Sequence, residues 1–126
     1  MSPEPQDLDR LLGDLGGSEV LDGFAALISP LERYDREHNS DLAKTLRVYF
    51  ESNANASEAA QRLYLHRNSL NYRLLRVQSI TGLDLGDPKA KLALQLGLLR
   101  ATERDRANEP QHPQQVAGNG DRNSQG

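Results

Sequence analysis

The chain has 126 residues, a formal net charge of −3, 37% hydrophobic and 5% aromatic residues, and neither Cys nor Trp. That length fits one domain with a modest core, the absence of cysteine excludes disulfides, thiolate metal sites and a thiol nucleophile, and so few rings argue against a large aromatic-walled ligand cavity. The longest apolar run falls far short of the roughly 20 residues that span a bilayer, and no charged-then-apolar stretch follows Met1, so a soluble, cytoplasmic protein is expected.

The charge is unevenly spread. Residues 1–40 carry −6 and residues 41–100 carry +4, and no acid occurs from Ala59 to Leu83, where Arg62, Arg67, Arg73 and Arg76 lie. A basic stretch inside an acidic chain is what a polyanion-binding surface leaves in a sequence. A solvated helical face leaves the same mark, so charge alone does not choose between them.

In chain order the patterns are helical throughout, with no convincing strand, and predict an all-α domain. Residues 1–17 form an N-terminal segment, partly flexible, in which Asp7 caps a short helix bearing Leu8, Leu11, Leu12 and Leu15 until Gly16-Gly17 stops it. Ser18 caps the next helix, with Val20, Leu21, Phe24, Leu27 and Ile28 at helical spacing. Pro30 restarts or kinks it before Leu31 and Tyr34. Asn39 or Ser40 opens a third helix, in which Leu42, Leu46, Tyr49 and Phe50 make one apolar face. Asn55 and Glu58 have the spacing of a capping box, and the short helix they open turns Ala59, Ala60 and Leu63 inward and ends by Tyr64. After a break at Leu65 and His66, Leu70, Leu74, Val77 and Thr81 mark a longer helix over about 67–81, closed by Gly82 as a left-handed cap. Asp87-Pro88 starts the last helix. Its Leu92, Leu94, Leu96, Leu98 and Leu99 surround most of the circumference, so one face closes the core and a second is available to a partner, either another subunit or a sensory region. Beyond Arg104 the composition predicts a disordered tail over 104–126, leaving residues 18–103 as the helical domain.

A short helix with small residues, a tight turn and a longer polar helix make up the helix-turn-helix layout, here spanning about 56–82. At 100° per residue, burying Leu70, Leu74 and Val77 turns Asn68, Tyr72 and Arg76 outward with Ser69 beside them, Arg67 and Asn71 on one flank and Arg73 on the other. These types suit a major groove: Arg pairs with guanine edges or phosphates, Asn with adenine, and Ser or Tyr hydroxyls with phosphate oxygens. Each also has a plain structural reading. His66 serves equally as a helix cap, Tyr72 as a packing residue, and Arg73 as the partner of an acid such as Glu51 or Glu58.

The run His66-Arg67-Asn68-Ser69-Leu70-Asn71-Tyr72-Arg73-Leu74, followed by Arg76-Val77 and Thr81-Gly82-Leu83-Asp84-Leu85, resembles the C-terminal DNA-binding domain of PucR/CdaR-type bacterial transcription regulators. Pro30-Leu31-Glu32-Arg33-Tyr34-Asp35, Asp41-Leu42, Thr45-Leu46 and Asp87-Pro88 extend the resemblance over roughly residues 20–100. The segment from Ala59-Ala60 through Leu70 to Leu74 is also similar to the helix-turn-helix of the Fis nucleoid protein. The resemblance implies an all-helical module that follows an N-terminal sensory region. In the Fis layout the positions matching His66, Arg67, Ser69, Asn71 and Tyr72 approach DNA. Asn71 stands where a basic residue is common, and Tyr64 where many such turns place Gly, which raises the question of whether the turn keeps its usual geometry.

The expected function is sequence-specific binding of double-stranded DNA by a homodimer, through Arg67, Asn68, Ser69, Asn71, Tyr72, Arg73, Arg76 and His66. The competing readings are a Fis-like architectural DNA-binding protein and a helical protein-interaction module. No cofactor, metal or catalytic residue is expected: the three histidines are scattered, and no phosphate loop or metal-ligand spacing occurs.

Overall fold

A computed structural model describes residues 5–107, and every regular element among them is helical: α1 (Pro5–Gly16), a 3-10 turn (Glu19–Leu21), α2 (Asp22–His38), α3 (Leu42–Glu51), α4 (Ala56–Arg62), α5 (Arg67–Thr81) and α6 (Pro88–Ala107). The all-α class expected from the sequence holds. One core gathers Ile28 and Leu31 of α2, Leu42 and Leu46 of α3, Ala59 and Ala60 of α4, Leu70, Leu74 and Val77 of α5, and Leu94, Leu98 and Ala101 of α6. Of the tail expected over 104–126, α6 takes up the part to Ala107, and the remainder lies outside the described residues.

Several boundaries differ from the sequence expectation for local reasons. α1 begins at Pro5, so Asp7 sits inside its first turn rather than at its cap; a carboxylate there still faces the positive end of the helix dipole. Ser18 accepts the amide of Val20 at 3.1 Å and caps the 3-10 turn, from which α2 follows. α2 runs unbroken through Pro30. The amide missing at Pro30 would have bonded the carbonyl four residues earlier, at Ala26, so the lost bond falls at a residue open to solvent.

Neither Asn39 nor Ser40 caps α3. Asn39 is left-handed (φ 53°, ψ 50°) and ends α2 by donating its amide to the Asp35 carbonyl. The Asp35 carboxylate then reaches forward to α3, accepting from Leu42 N at 2.8 Å, Ala43 N at 3.0 Å and the Ser40 hydroxyl at 2.6 Å. One residue thus closes α2 with its backbone carbonyl and opens α3 with its carboxylate, supplying partners for orphan amides. The capping box at α4 is half formed. Asn55 Oδ1 accepts Glu58 N at 3.0 Å, but the Asn55 amide already bonds Ser52 O, so Glu58 has nothing to return to and lies 4.0 Å from Arg62.

The last helix is largely covered. Leu94 and Leu98 are buried, Leu92 stays exposed, and the carboxyl end of α1 lies against Leu99 and Glu103. Arg100 holds this junction: its Nε donates to Asp22 Oδ1 at 2.8 Å and its Nη1 to the Gly16 carbonyl at 3.3 Å. Apolar surface stays open on α6, where Leu92, Ala93 and Leu96 line a groove with Phe24 and Leu83, and also on α1, where Leu8, Leu11, Leu12 and Leu15 are 39–51% exposed.

Gly97 sets the closest crossing. A β-carbon there would collide with the Phe24 carbonyl oxygen and come within 2.8 Å of Ile28 Cγ1, so α6 and α2 pack backbone to backbone only because the residue is glycine. Helix propensity favours Ala over Gly by about 1 kcal/mol, yet overpacking a rigid contact costs about 1–3 kcal/mol. We therefore expect Gly97→Ala to lower the melting temperature, and Gly97→Val to lower it much further, in thermal unfolding followed by circular dichroism.

Candidate nucleic-acid interface

The helix-turn-helix is α4, the turn over residues 63–66, and α5. Ala59 and Ala60 are buried at 0% and 4% exposure, so α4 presents almost no side-chain bulk and α5 crosses it closely. Leu63 and Leu65 are half-buried against the core around Leu70, forming the wedge expected from their spacing.

The turn keeps a glycine-like conformation without glycine. Tyr64 is left-handed at φ 57°, its amide donates to Gln61 O at 3.1 Å, and the Leu65 amide donates to Ala60 O at 2.9 Å. These bonds close the end of α4 and fix the angle at which the chain enters α5. A non-glycine residue in this region carries steric strain of about 1–2 kcal/mol. The Tyr64 side chain, 96% exposed, gains nothing from the core in return.

α5 begins at Arg67 and ends at Thr81, with Gly82 at φ 74° as its left-handed cap, matching the bounds read from the leucine spacing. His66 is the N-cap: its Nδ1 accepts the Asn68 amide at 3.0 Å. That bond requires the tautomer with the proton on Nε2. The amides of Arg67 and Ser69 have no partner among the described residues, and they sit at the positive end of the helix dipole, where phosphate oxygens are attracted.

The faces divide as helical geometry requires. Leu70, Leu74 and Val77 are buried; Arg67, Asn68, Ser69, Asn71 and Tyr72 are exposed; Arg73 and Arg76 are half-buried. The two half-buried arginines are held in different ways. Arg73 turns to α3 and donates from Nη1 to the buried hydroxyl of Thr45 at 3.1 Å, while that hydroxyl donates to the Asp41 carbonyl at 2.7 Å. Its partner is therefore neither Glu51 nor Glu58: Thr45 faces the inner flank of α5 directly, and Glu58 lies with Arg62. Arg76 donates from Nη2 to the Tyr72 hydroxyl at 2.6 Å, and its guanidinium carbon lies 5.5 Å from the Tyr72 ring centroid and 6.0 Å from that of Tyr34. The hydrogen bond to Tyr72, then the two phenols' electrostatics, raise the pKa of Arg76 above its already high ordinary value. It is a permanent cation braced by aromatic rings.

Between α5 and the α2–α3 junction lies an open cleft of ≈ 510 Å³, walled by Asn68, Ser69, Tyr72, Arg73 and Arg76 on one side and by Tyr34, Ser40 and Asp41 on the other. The Tyr34 ring stacks on His38 with centroids 4.0 Å apart. Sequence reasoning placed Tyr34 only on the apolar face of its helix and missed that it reaches Arg76, because nothing local links the two positions. It also passed over Leu75, which is 63% exposed on the outward side of α5; the 100° rotation per residue was enough to place it there.

Residues 42–99 match the family described as the PucR C-terminal helix-turn-helix domain. Over these residues the chain is similar to a PucR-type helix-turn-helix domain. The match begins at the first residue of α3 and ends within α6, so it encloses α4, the turn and α5. Among curated relatives, the DNA-binding transcriptional activator AdeR of Bacillus subtilis is 38% identical over 71 residues, covering 56% of this chain and 17% of that protein. The carbohydrate diacid regulator of Escherichia coli is 37% identical over 101 residues, covering 79% of this chain and 24% of that protein. The purine catabolism regulatory protein of B. subtilis is 34% identical over 93 residues, covering 74% of this chain and 17% of that protein. The chain thus spans between a sixth and a quarter of the length of these relatives. No solved structure matches it significantly. Among the described residues no helix is long and apolar enough to cross a membrane, and no cluster of metal-ligating side chains occurs.

The strained turn between α4 and α5 yields a direct test. Tyr64→Gly should relieve the left-handed strain at no packing cost, partly offset by the greater freedom of glycine in the unfolded chain. We expect a net gain of about 0.5–1 kcal/mol, seen as a melting temperature higher by several degrees.

Proposed function

We propose that this chain is the DNA-reading part of a bacterial transcription regulator, binding a specific double-stranded sequence with α5 in the major groove. The observation that carries this reading is the outward face of α5: Arg67, Asn68, Ser69, Asn71 and Tyr72 are exposed together on a helix with no acid, while its three apolar anchors are buried. Arg67, at the tip, pairs with a guanine edge or a phosphate. Asn68 and Asn71 offer amides suited to adenine, and Ser69 and Tyr72 offer hydroxyls to phosphate. Arg76 adds a fixed positive charge beside Tyr72. Arg73 and His66 act mainly as positioning residues, one tying α5 to α3 and the other capping it.

In this proposal the chain has no catalytic role and works in the cytoplasm as a homodimer, since paired recognition helices about 34 Å apart read two half-sites on one face of the duplex. The exposed leucines of α1 offer apolar surface for a second copy or for a sensory region, alongside the Leu92 face of α6. Leu98 is 6% exposed and belongs to the core. Leu11→Asp should dissociate the dimer in sedimentation without unfolding the domain; if the variant chain remains dimeric, the contact lies elsewhere.

The same reading fixes a binding experiment. Arg67→Ala should weaken binding to a selected duplex by about 1–3 kcal/mol, the cost of a lost base contact, with an unchanged melting temperature because the side chain is exposed. Binding should also fall steeply with salt as phosphate contacts release counterions. A Fis-like architectural protein would instead bind selected and random duplexes with similar affinity.

A further inference from the structure

α5 contains three leucines. Leu70 and Leu74 are buried at 0% and 9% exposure, whereas Leu75 is 63% exposed and takes no part in the core. At 100° per residue, Leu75 points about 140° away from Leu70. It lies one turn after Asn71 and one turn before Ser79, with Asn68 and Tyr72 on the adjoining ridge, all of them exposed. One flank of Leu75 borders a groove shared with Tyr49, Leu74 and Leu85. On the ridge it shares with Asn68, Asn71 and Tyr72 the neighbours are amides and hydroxyls, so on that outward side the leucine does not continue an apolar patch.

One ligand surface offers a matching pattern. The major-groove edges of the base pairs are hydrogen-bond donors and acceptors throughout, with a single apolar group, the 5-methyl of thymine. We infer that Leu75 is a specificity-determining residue that packs its side chain on a thymine methyl; this rests on the placement of α5 in the major groove proposed above. The register follows from the helix. Leu75 lies about 6 Å along the axis from Asn71, and successive bases are about 3.4 Å apart, so the thymine falls within about two base-pair steps of the base facing Asn71.

The test uses the full chain and a duplex selected from a random pool. The Asn71 position is located by finding where Asn71→Ala relaxes base preference. Each thymine within two steps of it is then replaced singly by uracil, which removes only the methyl. Wild-type protein should lose about fourfold in affinity at one such thymine per half-site, as expected for one apolar carbon withdrawn from water. Leu75→Ala should bind the thymine duplex more weakly and show no further loss with uracil at that position, while melting at the same temperature as wild type. If a site is selected but no uracil substitution matters, or if Leu75→Ala keeps the full sensitivity to it, the assignment of Leu75 is overturned and the placement of α5 stands. If no site is selected at all, that placement fails and the assignment of Leu75 fails with it.

Discussion

The removal of Leu70, Leu74 and Val77 from water is the constraint on which the rest of the domain depends. A 15-residue helix as rich in Asn, Ser and Arg as α5 is marginal on its own. Burying one aliphatic side chain is worth about 1.5–3 kcal/mol, so three of them supply the tertiary stabilisation that propensity lacks. Because these three define a narrow stripe, they also fix the rotation of the helix about its axis. A slip of one residue would turn the helix by 100° and bring Ser69, Arg73 and Arg76, or Asn71, Leu75 and Gln78, to the positions where Leu70, Leu74 and Val77 are buried. The same contacts that hold α5 in place therefore decide which side chains are available to a partner.

The surrounding elements work to make that stripe fit. α4 is only seven residues long, so it contributes shape more than area: Ala59 and Ala60 permit a close crossing that larger residues would hold open. α2 and α6 form the platform beneath, drawn together at Gly97 until backbone meets backbone. Asp35 makes the turn from α2 to α3 rigid by bonding both helices at once, and α3 in turn presents Thr45 to Arg73. Left-handed backbone enters this assembly at Ala54, just before α4, and at Tyr64, in the turn that aims α5. Strained backbone persists where surrounding structure over-determines it, and here the bonds from Tyr64 to Gln61 and from Leu65 to Ala60 do so.

Much of this was legible in the sequence because it depends on local period and local caps. The bounds of α5 followed from the spacing of Leu70, Leu74 and Val77 and from Gly82, and Asn55 announced α4. The features that escaped have partners distant in the chain. Asp35 looks like one more acid on a charged helix until the turn at Asn39 brings α3 back to it. Arg73 could be assigned an acid on charge grounds alone, but Thr45, 28 residues away, became its partner through the crossing of α3 and α5. Arg76 and Tyr34 meet for a similar reason. Nothing local marks Gly97 among the leucines of the last helix, and only the neighbouring backbone shows that it is the contact point. Leu75 differs from these, since its exposure was computable from the helical repeat. It was passed over because a leucine beside Leu74 is easily counted with the core.

The arginines of α5 differ in how much freedom they retain, and this bears on how such a surface recognises DNA. Arg73 is anchored at Thr45, and Arg76 is braced by Tyr72 and lies near Tyr34. Immobilising a long side chain on binding costs about 0.5–1.5 kcal/mol, and for these two the cost has already been met in folding. They can act as fixed charges that attract and orient a polyanion with little further ordering. Arg67 is exposed and has no side-chain partner among the described residues, so it loses that freedom only on binding and repays it only where the base edge offers two matched acceptors. In the proposed complex, affinity that does not depend on sequence would come mainly from the held arginines and the amides at the helix tip. Discrimination would come from the free side chains, Arg67, Asn68, Asn71 and Leu75, whose ordering is repaid at some sequences and not at others.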